Sequence, residues 1–199
     1  PEKLKTGHYQ IEEILAPSGY LKGENIHFEV KENMDWNKPL TIQFPDTPAK
    51  GKIKIEKSDK ITGKKLSDVQ FDIIAEEDIV TGDGTIRYYK NDTVDSVTTT
   101  EDGTAESEEL YLGKYKVREV QQSLGYILSQ KEYSVSLKYE GQEVPLVTGQ
   151  LSVTNKPTEI LIRKTDIRDN ALSGVTFRIW SKEEGGFNQE FATDEKGEI

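Results

Sequence analysis

The stretch Ile53-Lys54-Ile55-Glu56-Lys57-Ser58-Asp59 returns as Ile160-Leu161-Ile162-Arg163-Lys164-Thr165-Asp166. Each copy runs on into the same Leu-Ser-x-Val-x-Phe pattern, at Leu66, Ser67, Val69 and Phe71, then at Leu172, Ser173, Val175 and Phe177. Apolar residues at alternate positions mark a half-buried strand, so the fold is to be read as strands with turns between them. Two more pairs of stretches follow the same rule. Tyr9-Gln10-Ile11-Glu12-Glu13 matches Tyr115-Lys116-Val117-Arg118-Glu119, and both lead to a Gly-Tyr pair, Gly19-Tyr20 and Gly125-Tyr126. Ile42-Gln43-Phe44-Pro45-Asp46 matches Leu151-Ser152-Val153-Thr154-Asn155, with Pro48 and Pro157 two residues beyond.

The spacings agree: 119 − 13 = 106, 164 − 57 = 107 and 155 − 46 = 109. A shared period near 107 residues means that whole domains repeat. The expected organisation is the C-terminal part of one repeat at 1–49, a complete repeat at 50–157 and the N-terminal part of a further repeat at 158–199. Within the complete repeat, strand signals fall at 53–57, 69–74, 115–119, 133–139 and 151–155, and no long segment keeps a helical period. Many short strands at such spacing imply an all-β sandwich or barrel.

Composition narrows the function. Of 199 residues 34 % are hydrophobic, which suits small sandwiches better than one thick core. A net charge of −10 repels phosphate backbones and anionic membrane surfaces, so nucleic acid is not an expected partner. No cysteine is present and only two histidines, His8 and His27, so neither disulfides nor a histidine-rich metal site is expected, and no cofactor. No apolar run approaches the roughly 18 residues that span a bilayer, and no signal peptide opens the chain. There is no Gly-x-Ser-x-Gly elbow, phosphate loop or His-Glu-x-x-His, so a turnover enzyme is not expected.

The chemistry is expected where apolar stripes end in polar residues. Side chains alternate faces along a strand. Ile53 and Ile55 therefore put Lys57 on the buried face, Tyr115 and Val117 put Glu119 there, and Leu151 and Val153 put Asn155 there. The flanking pieces repeat the rule with Lys164, Glu13 and Asp46. Singly each has an ordinary reading, as a snorkelling lysine, a rim charge or a turn asparagine. Recurring in register, an inward Lys, carboxyl and amide are costly unless they meet. If they meet, a desolvated neutral amine can attack the Asn155 carbonyl while a protonated Glu119 polarises it and moves protons. Ammonia leaves and a Lys57–Asn155 isopeptide bond remains, formed once per chain. With Asp46 as acceptor, water would leave instead.

These residues resemble the Cna B-type (collagen-adhesin B, prealbumin-like or SpaA-like) repeats of Gram-positive pilins and adhesins. The resemblance rests on Lys57-Ser58-Asp59 and Lys164-Thr165-Asp166, on the Tyr-x-Val-x-Glu…Gly-Tyr box at 115–126, on its close match Tyr9 to Tyr20 with Pro17, and on Val153-Thr154-Asn155. The box at 115–126 departs from the family at Ser123-Leu124, where Ala-Pro is usual, and Pro45 beside Asp46 is unusual. The resemblance implies an inverse immunoglobulin-like β-sandwich, with Lys57 and Asn155 cross-linked and Glu119 as proton shuttle. Glu13 would hold that role in the first piece, and Lys164 and Asp46 are candidate cross-link residues. It also implies structural stalk or spacer repeats of an extracellular, cell-wall-anchored surface protein, with neighbouring repeats as partners. Host extracellular-matrix protein or glycan would be met through other parts. Three further readings remain open. Lys164 of one copy could join Asp46 of another in head-to-tail self-association. The segment 76–92, with Gly82, Gly84, Tyr88 and Tyr89, could be a ligand-binding loop of an adhesin module; its acidic residues Glu76, Glu77, Asp78 and Asp83 lack EF-hand spacing for calcium. The domain could also be an accessory part of a larger extracellular enzyme.

Overall fold

The computed structural model describes residues 4–34, 38, 40–182 and 187–199, and every regular element among them is a strand. The chain forms two compact units, Pro1–Pro157 and Thr158–Ile199. The first holds β1 (Gly7–Ile11), β2 (Tyr20–Leu21), β3 (Ile26–Val30), β4 (Thr47–Pro48), β5 (Lys50–Asp59), β6 (Gln70–Ala75), β7 (Ile79–Val80) and β8 (Ile86–Tyr88). It continues with β9 (Thr93–Thr98), β10 (Thr104–Glu106), β11 (Leu110–Tyr111), β12 (Gly113–Gln121), β13 (Glu132–Leu137) and β14 (Leu146–Asn155). The second unit holds β15 (Thr176–Trp180) and β16 (Asn188–Ala192).

Residues 50–155 build a two-sheet sandwich. In one sheet β5 is central: β10 and β11 pair antiparallel along it, and β14 pairs parallel to it over its whole length. The other sheet runs β13-β12-β6-β9, all antiparallel. First and last long strands are thus neighbours, which places residues nearly a domain apart in sequence side by side. The alternating faces meet between the sheets in one core that contains Ile53, Ile55, Phe71, Ile73, Tyr115, Val117, Leu137 and Val153. The Tyr115 ring is buried, and its hydroxyl donates to the Tyr111 carbonyl four residues back, so the one polar atom of a large core side chain is satisfied.

Ahead of the sandwich, β1 and β3 pair as a two-stranded antiparallel sheet, with the Tyr9 and Phe28 rings stacked 5.4 Å apart. The Tyr9 hydroxyl donates to the Lys5 carbonyl at 2.6 Å, the same four-residue step as Tyr115 to Tyr111. This piece is fastened to the sandwich. Gln142 accepts from the Ala16 N–H at 2.7 Å through its side chain and donates to the Ile14 carbonyl at 3.1 Å. The Tyr139 hydroxyl donates to the Tyr20 carbonyl at 2.9 Å. The long 76–92 segment folds back as the paired strands β7 and β8, and the Asp83 N–H at its tip donates to the Tyr20 hydroxyl at 2.8 Å.

In the second unit β15 and β16 pair antiparallel. Its local bonds copy those of the sandwich. Thr193 takes the Val175 N–H and donates to the Leu172 carbonyl, as Thr99 does with Val69 and Leu66. The Lys164 N–H reaches the Gly197 carbonyl at 2.7 Å, as the Lys57 N–H reaches Gly103 at 2.7 Å.

Candidate cross-link site

Three core stripes end at one place. Along β5 the buried positions are Gly51, Ile53, Ile55, Lys57 and Asp59; along β12 they are Tyr115, Val117 and Glu119; β14 closes with Val153 and Asn155. Lys57, Glu119 and Asn155 retain 0 %, 3 % and 3 % of their accessible surface. Lys57 Nζ lies 3.7 Å from Glu119 Oε2, and the Asn155 amide donates to Glu119 Oε1 at 2.5 Å. The carboxyl group thus stands between amine and amide, the arrangement expected of a proton shuttle.

The electrostatics are those of a strained trio. Burial pushes the Lys57 amine below its ordinary range, and the nearby Glu119 carboxyl opposes that shift without cancelling it. Lys57 Nζ, Glu119 Oε2 and Asn155 Oδ1 are all buried and lack a hydrogen-bond partner. Each such atom costs on the order of 1–3 kcal/mol. An amide between Lys57 and Asn155 would relieve the set: its N–H could donate to Glu119 Oε2, and its carbonyl could accept from the Glu119 hydroxyl.

The backbone holds this end of the sandwich through residues that a search for reactive groups passes over. Gly103 sits at φ +73°, and a Cβ there would lie 2.6 Å from the Lys57 carbonyl oxygen. Only glycine both adopts that conformation cheaply and lets the turn press on β5. Asp59 accepts from the Ile61 and Thr62 N–H groups at 2.6 and 2.7 Å, and from the Tyr126 hydroxyl at 2.8 Å. Those bonds, the Thr62 backbone bond foremost, hold the Asp59 carboxyl down to about 2. Tyr126 also bridges to Pro157, and the Ile127 N–H donates to the Lys156 carbonyl at 3.1 Å. The Gly-Tyr end of the Glu119 box therefore ties the strand of Lys57 to the chain leaving Asn155. The recurrence of Lys-x-Asp and Gly-Tyr in the sequence carried that signal, but not the bond between them.

The flanking residues are arranged differently. Glu13 and Asp46 lie together in the first unit. Burial, then the neighbouring Glu13 charge and its hydrogen bond, raise the Asp46 carboxyl above its ordinary range. The Gly23 N–H donates to Glu13 Oε2 at 2.8 Å. Lys164, in the second unit, is half-buried, and its ammonium donates only a long 3.4 Å bond to the Thr165 carbonyl. In the 76–92 segment Asp83 is engaged by Thr81, Thr85 and Arg87, which hold its carboxyl down to about 2.

The comparisons with known proteins bear on the fold. The family model for the SpaA prealbumin-like fold domain matches residues 1–42 and 51–150. Among solved structures, the Bacillus anthracis TIE protein is similar over 98 % of this chain and 34 % of its own, at 25 % identity and a TM-score of 0.59. A Streptococcal ancillary pilin is similar over 98 % of this chain and 62 % of its own, at 21 % identity and a TM-score of 0.42. The group B streptococcus pilus 2b backbone protein is similar over 73 % and 52 %, at 19 % identity and a TM-score of 0.43. The chain therefore spans between a third and under two thirds of the length of these structures. No curated protein sequence matches.

Proposed function

The chain belongs to the family of SpaA prealbumin-like fold domains, and from that premise we propose that it forms spacer repeats of an extracellular, cell-wall-anchored adhesin or pilin, stiffened by a self-formed amide between Lys57 and Asn155. The observation that carries this reading is the buried trio, with one unpartnered polar atom on each member. The repeats would be 1–49, 50–157 and 158–199, and the two stretches matched by the family model fall on either side of the first of these junctions.

The reaction balances within the three side chains. The neutral Lys57 amine attacks the Asn155 side-chain carbon, and the new N–C bond replaces the C–Nδ2 bond. One amine proton passes through the Glu119 carboxyl to Nδ2, which leaves as ammonia. Glu119 ends as it began, and nothing turns over. A ligand-binding role for the 76–92 segment has less support, because its tip is occupied by Tyr20.

Intact mass tests the reading. The purified chain should weigh one ammonia less than its sequence, and a digest should hold a branched peptide joining Lys57 to Asn155. Glu119→Ala should restore the full sequence mass in a protein that still shows the wild-type β spectrum. A full mass in the folded wild-type chain would end the proposal and leave the trio as a buried polar cluster.

A further inference from the structure

The last long strand of the sandwich has an edge without a neighbour. The Lys60 N–H donates to the Asn155 carbonyl, and Asn155 lies beside Asp59 in the parallel register, so the odd-numbered residues of β14 turn their main-chain groups to β5. Leu146, Thr148, Gln150, Ser152 and Thr154 turn theirs the other way, where among the described residues no strand pairs with them. Just beyond the strand that side is closed: the Ile127 N–H donates to the Lys156 carbonyl, and Tyr126 bridges to Pro157. Sheet edges are ordinarily guarded by charge, proline, shortness or a bulge. The other edge strands of the sandwich have such guards. β13 carries Glu132 and lies between Lys131 and Lys138. β9 carries Asp95 and pairs with a register shift, and β10 and β11 have three and two residues. β14 has none of them. Its ten residues pair with β5 without a shift, no proline falls within it, and Val144 to Asn155 holds no charged side chain in a chain of net charge −10.

We propose that this edge pairs with β14 of a second copy, antiparallel about a two-fold axis at Gln150. The even-numbered residues are the ones whose main-chain groups point across that axis. Gln150 then faces Gln150, Thr148 faces Ser152 and Leu146 faces Thr154, and each facing pair exchanges two main-chain hydrogen bonds. Three features favour a second copy as the occupant. The exposed face brings amide against amide and hydroxyl against hydroxyl, pairs that support one another across strands. Of the inward positions of β14, Leu151 alone is not buried, and an added strand covers it. Two chains of this net charge repel, and a run without charge is where they can close up. The same patch serves on both copies, so the contact is isologous and stops at a dimer. Antiparallel strands also set the two chains in opposite directions, as spacers rising from facing cell surfaces would be. That consequence rests on the spacer reading above; the pairing itself rests neither on it nor on the Lys57–Asn155 amide.

Light scattering on the 199-residue chain tests it, with concentration raised to about 1 mM. The average mass should climb to that of a dimer and stop. Gln150 is exposed, so Gln150→Lys and Gln150→Glu should each keep the wild-type β spectrum. Each sets like charges face to face and should stay monomeric where the wild type is largely dimeric. Mixed one to one, the two variants should dimerise again. Facing residues lie about 5.5 Å apart at Cα, within disulfide reach, and the chain has no cysteine of its own. Mild oxidation of Gln150→Cys should therefore trap a covalent dimer, while Lys54→Cys, exposed on the neighbouring strand, should not be trapped. A wild-type chain that stays monomeric throughout or grows past a dimer, charge variants that associate like the wild type, or equal trapping of both cysteine variants would each overturn the proposal.

Discussion

Lys57 can act as a nucleophile only while its amine is uncharged, and burial in the core favours that state. The same force makes the uncross-linked protein sensitive to pH. In Asn155→Ala the acceptor is gone and Lys57 stays a free amine with a folded pKa below its unfolded value of 10.5. Between those two values the unfolded chain binds more protons than the folded one, so stability must rise with pH and be lost as pH falls through the folded value. Denaturant midpoints of Asn155→Ala should therefore increase as pH is raised toward 10.5. Adding Lys57→Met should flatten the rise. A midpoint equally steep in the double variant would mean that other groups carry it. At this scale the sequence was informative, because the period of two along a strand assigns faces without tertiary knowledge. Lys57, Glu119 and Asn155 could be placed inward from their own neighbours alone.

Elements decide whether those inward groups meet, and here the sequence said less. The parallel pairing of β5 with β14 brings the three stripe ends together, yet nothing local in either strand specifies its partner. Gly103 is a case in point. It reads as an ordinary turn glycine after Asp102, and only the fold shows it pressed on the Lys57 carbonyl. Gly197, at φ +72°, repeats the contact with the Lys164 carbonyl, so the device belongs to the strand-and-turn unit. Gly63 offers a control, having φ +74° but open space around its missing Cβ. Gly103→Ala should cost about 1–3 kcal/mol from its backbone conformation, with the steric push on β5 added. Gly63→Ala should show only the conformational part. Because the push falls on the Lys57 backbone, Gly103→Ala alone should also leave a measurable uncross-linked fraction by intact mass. Equal effects at both glycines would remove Gly103 from the support of the site. The 76–92 segment was illegible for a related reason, since its fold is completed by Tyr20, a residue outside the sandwich.

For the whole molecule, the consequence of the proposed Lys57–Asn155 amide would be a change in where force runs. The two residues are 155 − 57 = 98 positions apart, so the bond would enclose nearly all of the sandwich. Load entering at Lys50 would follow β5 for seven residues to Lys57, cross the amide to Asn155 and leave through Pro157. Everything between lies off the path. A disulfide would give the same geometry, but this chain has no cysteine, and an amide is indifferent to reductant. Pulling the chain between residues 50 and 157 should therefore unfold nothing in the wild-type sandwich at forces that open ordinary β domains. In Asn155→Ala the shielded 98 residues become available, at about 3.4 Å each, and a step of roughly 300 Å should appear. Reductant should change neither trace. A step of that size in the wild-type chain would show that load passes through the hydrogen-bonded sheets, and the sandwich would then resist tension only through its pairing of β5 with β14.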